Sequence, residues 1–432
     1  MRKTKIQIIY SLKTKIYILA QSMYLFYNIA IYLVSFLLKI IAVFNKKLSF
    51  FIEGRKETFN KLESVISKND NTIWFHCASL GEFEQGRPII EKVKSKYPNY
   101  KIVLTFFSPS GYEVQKNYAF ADVITYLPLD TKSNAKKFLE IVHPSMAIFV
   151  KYEFWPNILN QLKKQQIITI LISGIFREDQ TFFKWYGNWM RNTLRAFSHF
   201  FVQNQASYNL LQAINFKNIT LSGDTRFDRV DEITKQDNHL DFIKNFVQNK
   251  YTLVAGSTWK KDEAYLINYI NFHASEHEKF IIAPHNINKK DIEQLQIAIS
   301  KKITLFSDKE KNNNAQVFIV DTIGILTKIY SYADAAYIGG GFENGIHNIL
   351  EPATFGVPLV IGPNYKKFQE AIDLVKLNAC QVVNNNSELN THLTKLLEDK
   401  NYREIKGSIA KNYISDHIGA TKNILDYMSN NL

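Results

Sequence analysis

Short, continuous apolar runs alternate with stretches of helical period through most of the chain. Residues 72–78, 101–107, 123–127, 146–150, 168–173 and 199–203 are apolar over the length of a strand, which predicts parallel strands buried on both faces rather than half-exposed ones. Between them, segments such as 132–141 and 155–165 have helical length and spacing. The pattern breaks in a polar, charge-rich stretch at 222–249 and restarts with runs at 251–255, 280–283, 317–320, 335–339, 358–361 and 381–383. This alternation predicts two successive α/β domains, each a doubly wound sheet with helices on both faces. A chain of 432 residues calls for two cores on length alone. A last helix at 420–428 is free to pack back on the first domain. No exact internal repeat is visible, and low complexity is confined to short tracts such as the asparagine run 312–314.

The N-terminus departs from this pattern. Residues 16–38, between Lys15 and Lys39, carry no formal charge and are rich in Ile, Leu, Tyr and Phe, long enough to cross a bilayer. Gln21, Ser22, Asn28 and several tyrosines dilute the run and no small-residue cleavage site follows it, so the expectation is an uncleaved anchor within residues 1–47. An amphipathic helix lying in the membrane plane is the alternative. The formal charge of +13 concentrates here: Arg2, Lys3, Lys5, Lys13, Lys15, Lys39, Lys46 and Lys47 precede any acid. The charge therefore points to an anionic membrane surface and anionic substrates rather than to nucleic acid, for which no aromatic-basic motif stands out. Cys77 and Cys380 lie far apart with no CxxC spacing, which suits a reducing compartment and argues against a thiolate metal site or disulfide framework.

Candidate chemistry gathers at predicted strand ends. The stretch 74–88, WFHCASLGEFEQGRP, runs from a buried strand into a turn and places Glu82 just before an apolar helical run. A carboxylate there sits at the rim of the crevice where such sheets bind ligands, as a general base would. Ser79 followed by Glu82 equally fits a capping box, so both roles stay open. KYEFWP, 151–156, offers Glu153 to the same crevice or to a helix cap. SPSGYE, 108–113, is a turn with hydroxyl donors, and GDTRFD, 223–228, offers Arg226 to an anion at the domain join. In the second half, residues 337–363 run from a strand into Gly339, Gly340 and Gly341, where backbone amides can approach a phosphate or sugar. Asn348 and Glu351 then share one helical face, where an acid can accept from ribose hydroxyls. The spacing is not GxGxxG. Gly256-Ser257-Thr258 ahead of Glu263, Pro284-His285, and Gly324-Ile325-Leu326 are further small turns at strand ends. No HExxH, paired histidine-carboxylate spacing or GxSxG turn occurs, and no metal or cofactor is implied.

Taken together, the anchor, ASLGEF, FSPSG, LPLD, EFWP, the GS turn, the Pro-His strand end, DTIG-L and HNILEP resemble the 3-deoxy-D-manno-octulosonic acid (Kdo) transferases, glycosyltransferases of the GT-B architecture that modify lipid A. The resemblance implies an α/β GT-B fold with two Rossmann-like domains facing a cleft. An acceptor domain at 48–222 and a nucleotide-sugar domain at 223–432 would follow the anchor. It implies CMP-Kdo as donor, a lipid A precursor (lipid IVA) as acceptor, inversion at the anomeric carbon, and a site on the cytoplasmic face of the inner membrane. Glu82 would be the catalytic base and Arg226 would steady developing charge. Nucleotide contacts would fall on Pro284, His285, Gly324, Ile325, Leu326, Asn348, Ile349, Leu350 and Glu351. Two positions depart from the family pattern: Lys151 stands where many members carry an acid with a transition-state role, and Pro284-His285-Asn286 stands where they commonly read Pro-Arg-His. A GT-B enzyme using another nucleotide sugar, or a non-catalytic membrane-anchored binder of nucleotide or lipid, are the rival readings.

Overall fold

The apolar runs become strands because helices cover both faces of each sheet. In the computed structural model, which describes residues 2–308 and 314–432 and only the backbone of 2–21, 46, 47 and 50, the chain forms two compact units. One comprises Met1–Arg226 with Gly419–Leu432, the other Phe227–Ile418. Asn312 and Asn313, and the side chains of Arg2, Lys3, Lys5, Lys13, Lys15, Lys46 and Lys47, lie outside the described residues.

The first unit holds strands β1 (Asn71–Cys77), β2 (Tyr100–Phe106), β3 (Val123–Tyr126), β4 (Pro144–Val150), β5 (Ile168–Gly174), β6 (His199–Val202) and β7 (Ile219–Leu221). They pair in parallel in the order β3-β2-β1-β4-β5-β6-β7. Successive residues feed opposite cores: Ile73, Phe75 and Cys77 pack on one side of β1 and Trp74 on the other. Ile424 and Met428, from the closing helix Ala420–Ser429, complete the core that includes Phe83 and Ile90. The second unit repeats the plan with β8 (Tyr251–Thr258), β9 (Glu278–Pro284), β10 (Ile303–Leu305), β11 (Val317–Ile319), β12 (Ala335–Ile338), β13 (Leu359–Ile361) and β14 (Cys380–Val382), in the order β10-β11-β9-β8-β12-β13-β14. Both sheets change direction of growth at their first strand, which opens a crevice at the carboxyl edge between β1 and β4 and between β8 and β12.

Three local expectations are corrected. The polar stretch 222–249 is not a break: it carries helices Thr225–Thr234 and Asp241–Val247, whose Phe227, Val230, Ile243, Phe246 and Val247 are buried while Thr234, Asp241, Lys244 and Asn245 are exposed. Gly256, Ser257 and Thr258 do not follow β8 but end it. Strands β7 and β10 carry no continuous apolar run, because Thr220 and Thr304 interrupt them.

A helix spans Arg2–Ala42, and within its described residues Ser22–Ala42 is long and apolar enough to cross a membrane, with a mean hydropathy of 2.0. It exposes Leu25, Phe26, Ile29, Leu33 and Phe36 and docks through its polar residues. The Tyr24 hydroxyl donates to Asn157 Oδ1 (2.5 Å) and the Tyr27 hydroxyl to Asp130 Oδ2 (2.7 Å). Asp130 also accepts the Asn157 and Ile158 backbone N–H groups, both at 2.9 Å, capping the helix Pro156–Lys164. Burial pushes the Asp130 carboxyl up to about 6 against those hydrogen bonds.

Candidate active site

After β1 the chain turns at Ala78 and Ser79 into the helix Leu80–Lys96; after β4 it turns at Lys151 and Tyr152 ahead of the helix Pro156–Lys164. Because β1 and β4 are paired, His76 opposite Phe149, both turns enter the same crevice. Glu82 stands in the first turn of its helix, 3% exposed, and its Oε2 accepts the Ala78 N–H. The Ser79 side chain makes no capping bond, so the reciprocal capping box is not formed. Burial first, and then the charge of Glu153, push the Glu82 carboxyl up to about 8; the Ala78 N–H and the positive charge of Lys151 act in the opposite direction. A carboxyl so placed has a proton affinity suited to work near neutral pH.

Glu153 is buried and held by its neighbours. Trp155 Nε1–H donates to its Oε2 at 2.9 Å, and His76 Nε2 lies 3.4 Å from the same oxygen. The Thr105 hydroxyl accepts from Trp74 Nε1 and donates to Phe75 O. His76 Nδ1, 2.9 Å from that hydroxyl and 3.2 Å from Thr105 O, therefore carries a hydrogen. Lys151 adopts the left-handed conformation, φ 72°, with its N–H on Ile172 O. Its Nζ lies 5.2 Å from the Tyr152 ring centre.

Arg226 is tied to the helix of Glu82. Its guanidinium meets Asp224 Oδ2 through Nη2 (2.8 Å) and Nε (3.0 Å), and Gln85 Nε2 donates to the same oxygen at 2.9 Å. Thr225 Oγ1 donates to Gln85 O at 2.5 Å. Gln85 lies one turn beyond Glu82, so the GDTR segment and the candidate base share one rigid element. The first unit thus brings Glu82, Glu153 and Lys151 into one neighbourhood, with Arg226 held to the next turn of the Glu82 helix through Asp224 and Gln85.

In the second unit, two of the expected nucleotide segments converge on Glu351. Asn348 Nδ2 donates to its Oε1 (2.9 Å) and Thr327 Oγ1 to its Oε2 (2.8 Å), which joins the turn Gly324–Leu326 to the run Asn348–Glu351. Ile349 and Leu350 within that run are core residues. Pro284 ends β9, and His285 follows it with its backbone N–H on Thr258 O. Among the described residues no group of three or more His, Cys, Asp or Glu could hold a metal ion.

The sequence had singled out the acids and Arg226 but not the groups that orient them. His76 and Trp155 lie inside the same motifs and could have been read as partners of Glu153. Gln85 is marked by its spacing from Glu82. Asp224 lies inside GDTRFD, two residues before Arg226, and could have been read as its partner; Thr327 leaves no signal, because it meets Glu351 only through the fold.

A family model described as 3-deoxy-D-manno-octulosonic-acid transferase (kdotransferase) matches residues 53–229, the segment containing Glu82, Lys151, Glu153 and Arg226. The 3-deoxy-D-manno-octulosonic acid transferase of Aquifex aeolicus is 29% identical over 349 residues, covering 78% of this chain and 90% of that one. The transferase of the same description from Rickettsia felis is 27% identical over 364 residues, 80% of this chain and 76% of that one. Among solved structures, the UDP-GlcNAc 2-epimerase of Neisseria meningitidis superposes with a TM-score of 0.59 at 16% identity, over 83% of this chain and all of the other. MurG of Acinetobacter baumannii gives 0.53 at 11% identity, over 84% and 99%. These two speak for the fold alone, the GT-B class with two Rossmann-like units. Relatives align across both units and the family model rests on the one that carries the buried acids, so the chain is similar to the Kdo transferases, a family of glycosyltransferases, over about four fifths of its length.

Proposed function

We propose that the protein moves Kdo from CMP-Kdo to a glucosamine hydroxyl of a lipid A precursor, lipid IVA being the expected acceptor, with inversion at the anomeric carbon. The acceptor oxygen attacks that carbon as its bond to the phosphate oxygen of CMP breaks; the hydroxyl proton passes to Glu82 and CMP departs with the bonding pair. The observation that carries this reading is Glu82 itself, buried at the carboxyl end of β1 with its proton affinity raised by burial and by Glu153. General-base help of this kind is worth on the order of 100- to 10,000-fold. Arg226 and Lys151 offset negative charge on the acceptor phosphates and the departing nucleotide. Pro284, His285, the turn Gly324–Leu326 and Asn348–Glu351 take the nucleotide, with Glu351 accepting from ribose hydroxyls. The apolar helix keeps the unit at a membrane surface, with the reaction on the cytoplasmic side.

Mass spectrometry of a lipid A precursor, after incubation with the protein and a CMP-Kdo-generating system, tests the proposal and counts the Kdo residues added. An unmodified precursor alongside intact CMP binding would overturn it in favour of a non-catalytic binder. Preferential binding of uridine over cytidine nucleotides would overturn it in favour of another donor.

A further inference from the structure

Three rings from distant parts of the second unit meet at the carboxyl edge of its sheet. Trp259 follows β8, His285 follows β9, and His347 lies beyond the glycine turn after β12. Trp259 and His347 lie side by side in nearly one plane, 12° apart with centroids at 6.3 Å, and Trp259 Nε1 donates to His347 Nε2 at 2.8 Å. His285 lies over both, 4.5 Å and 15° from Trp259, 4.6 Å and 27° from His347. The backbone beneath is fixed by the buried Asp262, whose Oδ2 accepts the N–H groups of Trp259 (2.9 Å) and Gly340 (2.7 Å). Gly340, at φ +91°, has no room for a side chain: a Cβ would come within 2.3 Å of Gly345 O and 3.2 Å of His347 Cδ2.

An indole N–H can only donate, so His347 Nε2 must be the bare acceptor and the ring proton must sit on Nδ1. Burial first, and then His285, push His347 down to about 4, which keeps this neutral form through physiological pH. Its ring is half-buried, it immediately precedes Asn348, and its Nδ1–H has no hydrogen-bond partner among the described residues.

We propose that His347 Nδ1–H donates a hydrogen bond to an anionic oxygen of the donor sugar nucleotide, and that Trp259 is the positioning residue that holds His347 in that tautomer. This rests on the nucleotide-sugar reading above. The anionic oxygen belongs either to the nucleotide phosphate or to the carboxylate of the sugar acid. The full-length protein labelled with ¹⁵N-histidine tests the proposal by NMR. His347 should show a protonated Nδ1 and a bare Nε2, and its Nδ1 signal should move on adding CMP if the phosphate is the partner, or free Kdo if the carboxylate is. Trp259→Phe keeps the ring but removes the donor; His347 should then exchange between tautomers. KM for CMP-Kdo should rise roughly tenfold, as for one lost hydrogen bond, with kcat within about twofold.

A His347 signal indifferent to both CMP and Kdo in the unmodified protein would overturn the proposal, whatever the variant does. So would a Trp259→Phe protein with unchanged tautomer and unchanged KM. Kdo transfer with a silent His347 defeats this inference alone. A responsive His347 in a protein that transfers nothing defeats the reading of function and leaves the inference standing.

Discussion

Replacing Glu82 by glutamine keeps the shape of the side chain and an oxygen for the Ala78 N–H while removing its capacity to take a proton. If Glu82 is the base, transfer should fall on the order of 100- to 10,000-fold, roughly 3–5 kcal/mol of barrier, with CMP-Kdo affinity preserved. The same substitution has a second, independent consequence. The carboxyl rises from 4.5 to about 8 on folding; at about 1.36 kcal/mol per pH unit the ceiling is ~5 kcal/mol. Residual solvation and the charge shared with Glu153 reduce this to a few kcal/mol. The folded chain holds this proton more tightly than the unfolded one. The contribution of Glu82 is therefore intact below about pH 4.5, and stability is lost as pH rises through about 8. The glutamine variant escapes that loss. It should be more stable than the parent by a few kcal/mol above pH 8 and similar to it near pH 4. Denaturant unfolding across this range, paired with mass spectrometry of the lipid product, measures both effects. Near-parental transfer would refute the role of base, and parallel stability curves would refute the argument from burial.

Three further outcomes are expected. Transfer at limiting acceptor should rise about tenfold per pH unit and level off near pH 8, as the base is freed of its proton; Lys151→Glu, which reverses a charge that lowers Glu82, should move that plateau to higher pH, and an unmoved profile would show that Lys151 does not act on Glu82. Gly256→Ala should destabilise the second unit by about 1–3 kcal/mol through overpacking, because its Cβ would fall 1.9 Å from the Tyr330 hydroxyl; thermal unfolding measures this, and an unchanged midpoint would count against the packing. Asp130→Ala leaves the Asn157 and Ile158 N–H groups uncapped and should cost about 0.5–2 kcal/mol, read by denaturant unfolding in detergent.

The hydrophobic pattern made the strands, and with them the positions of Glu82 and Glu153 just after strand ends, legible. That pattern survives because the sheets are covered on both faces, so β1 and β4 stay apolar throughout. The pattern could not resolve whether Glu82 caps or catalyses, since the same first-turn position serves both; its burial and the proximity of Glu153 are what support the proposed role of base. Helices Thr225–Thr234 and Asp241–Val247 were hidden because a few buried side chains anchor each among many charges. The Gln85–Asp224–Arg226 link and the Trp259–His347 plane join residues more than eighty positions apart, where no local spacing can report them.

The docking of Tyr24 and Tyr27 on Asn157 and Asp130 bears on how the apolar helix meets a bilayer. These residues lie inside the stretch long enough to cross one, so while they grip Asn157 and Asp130 that part of the helix is held against protein. The arm that remains, from Ile29 to Ala42, is about 21 Å long at 1.5 Å per residue, short of the ~30 Å hydrocarbon core. The uncharged residues on the other side, 16–23, are fewer still. Under the membrane placement proposed above, a docked helix would lie along the headgroup layer like a keel, its Leu25, Phe26, Ile29, Leu33 and Phe36 side in the lipid, and would have to let go of Asp130 before crossing the bilayer.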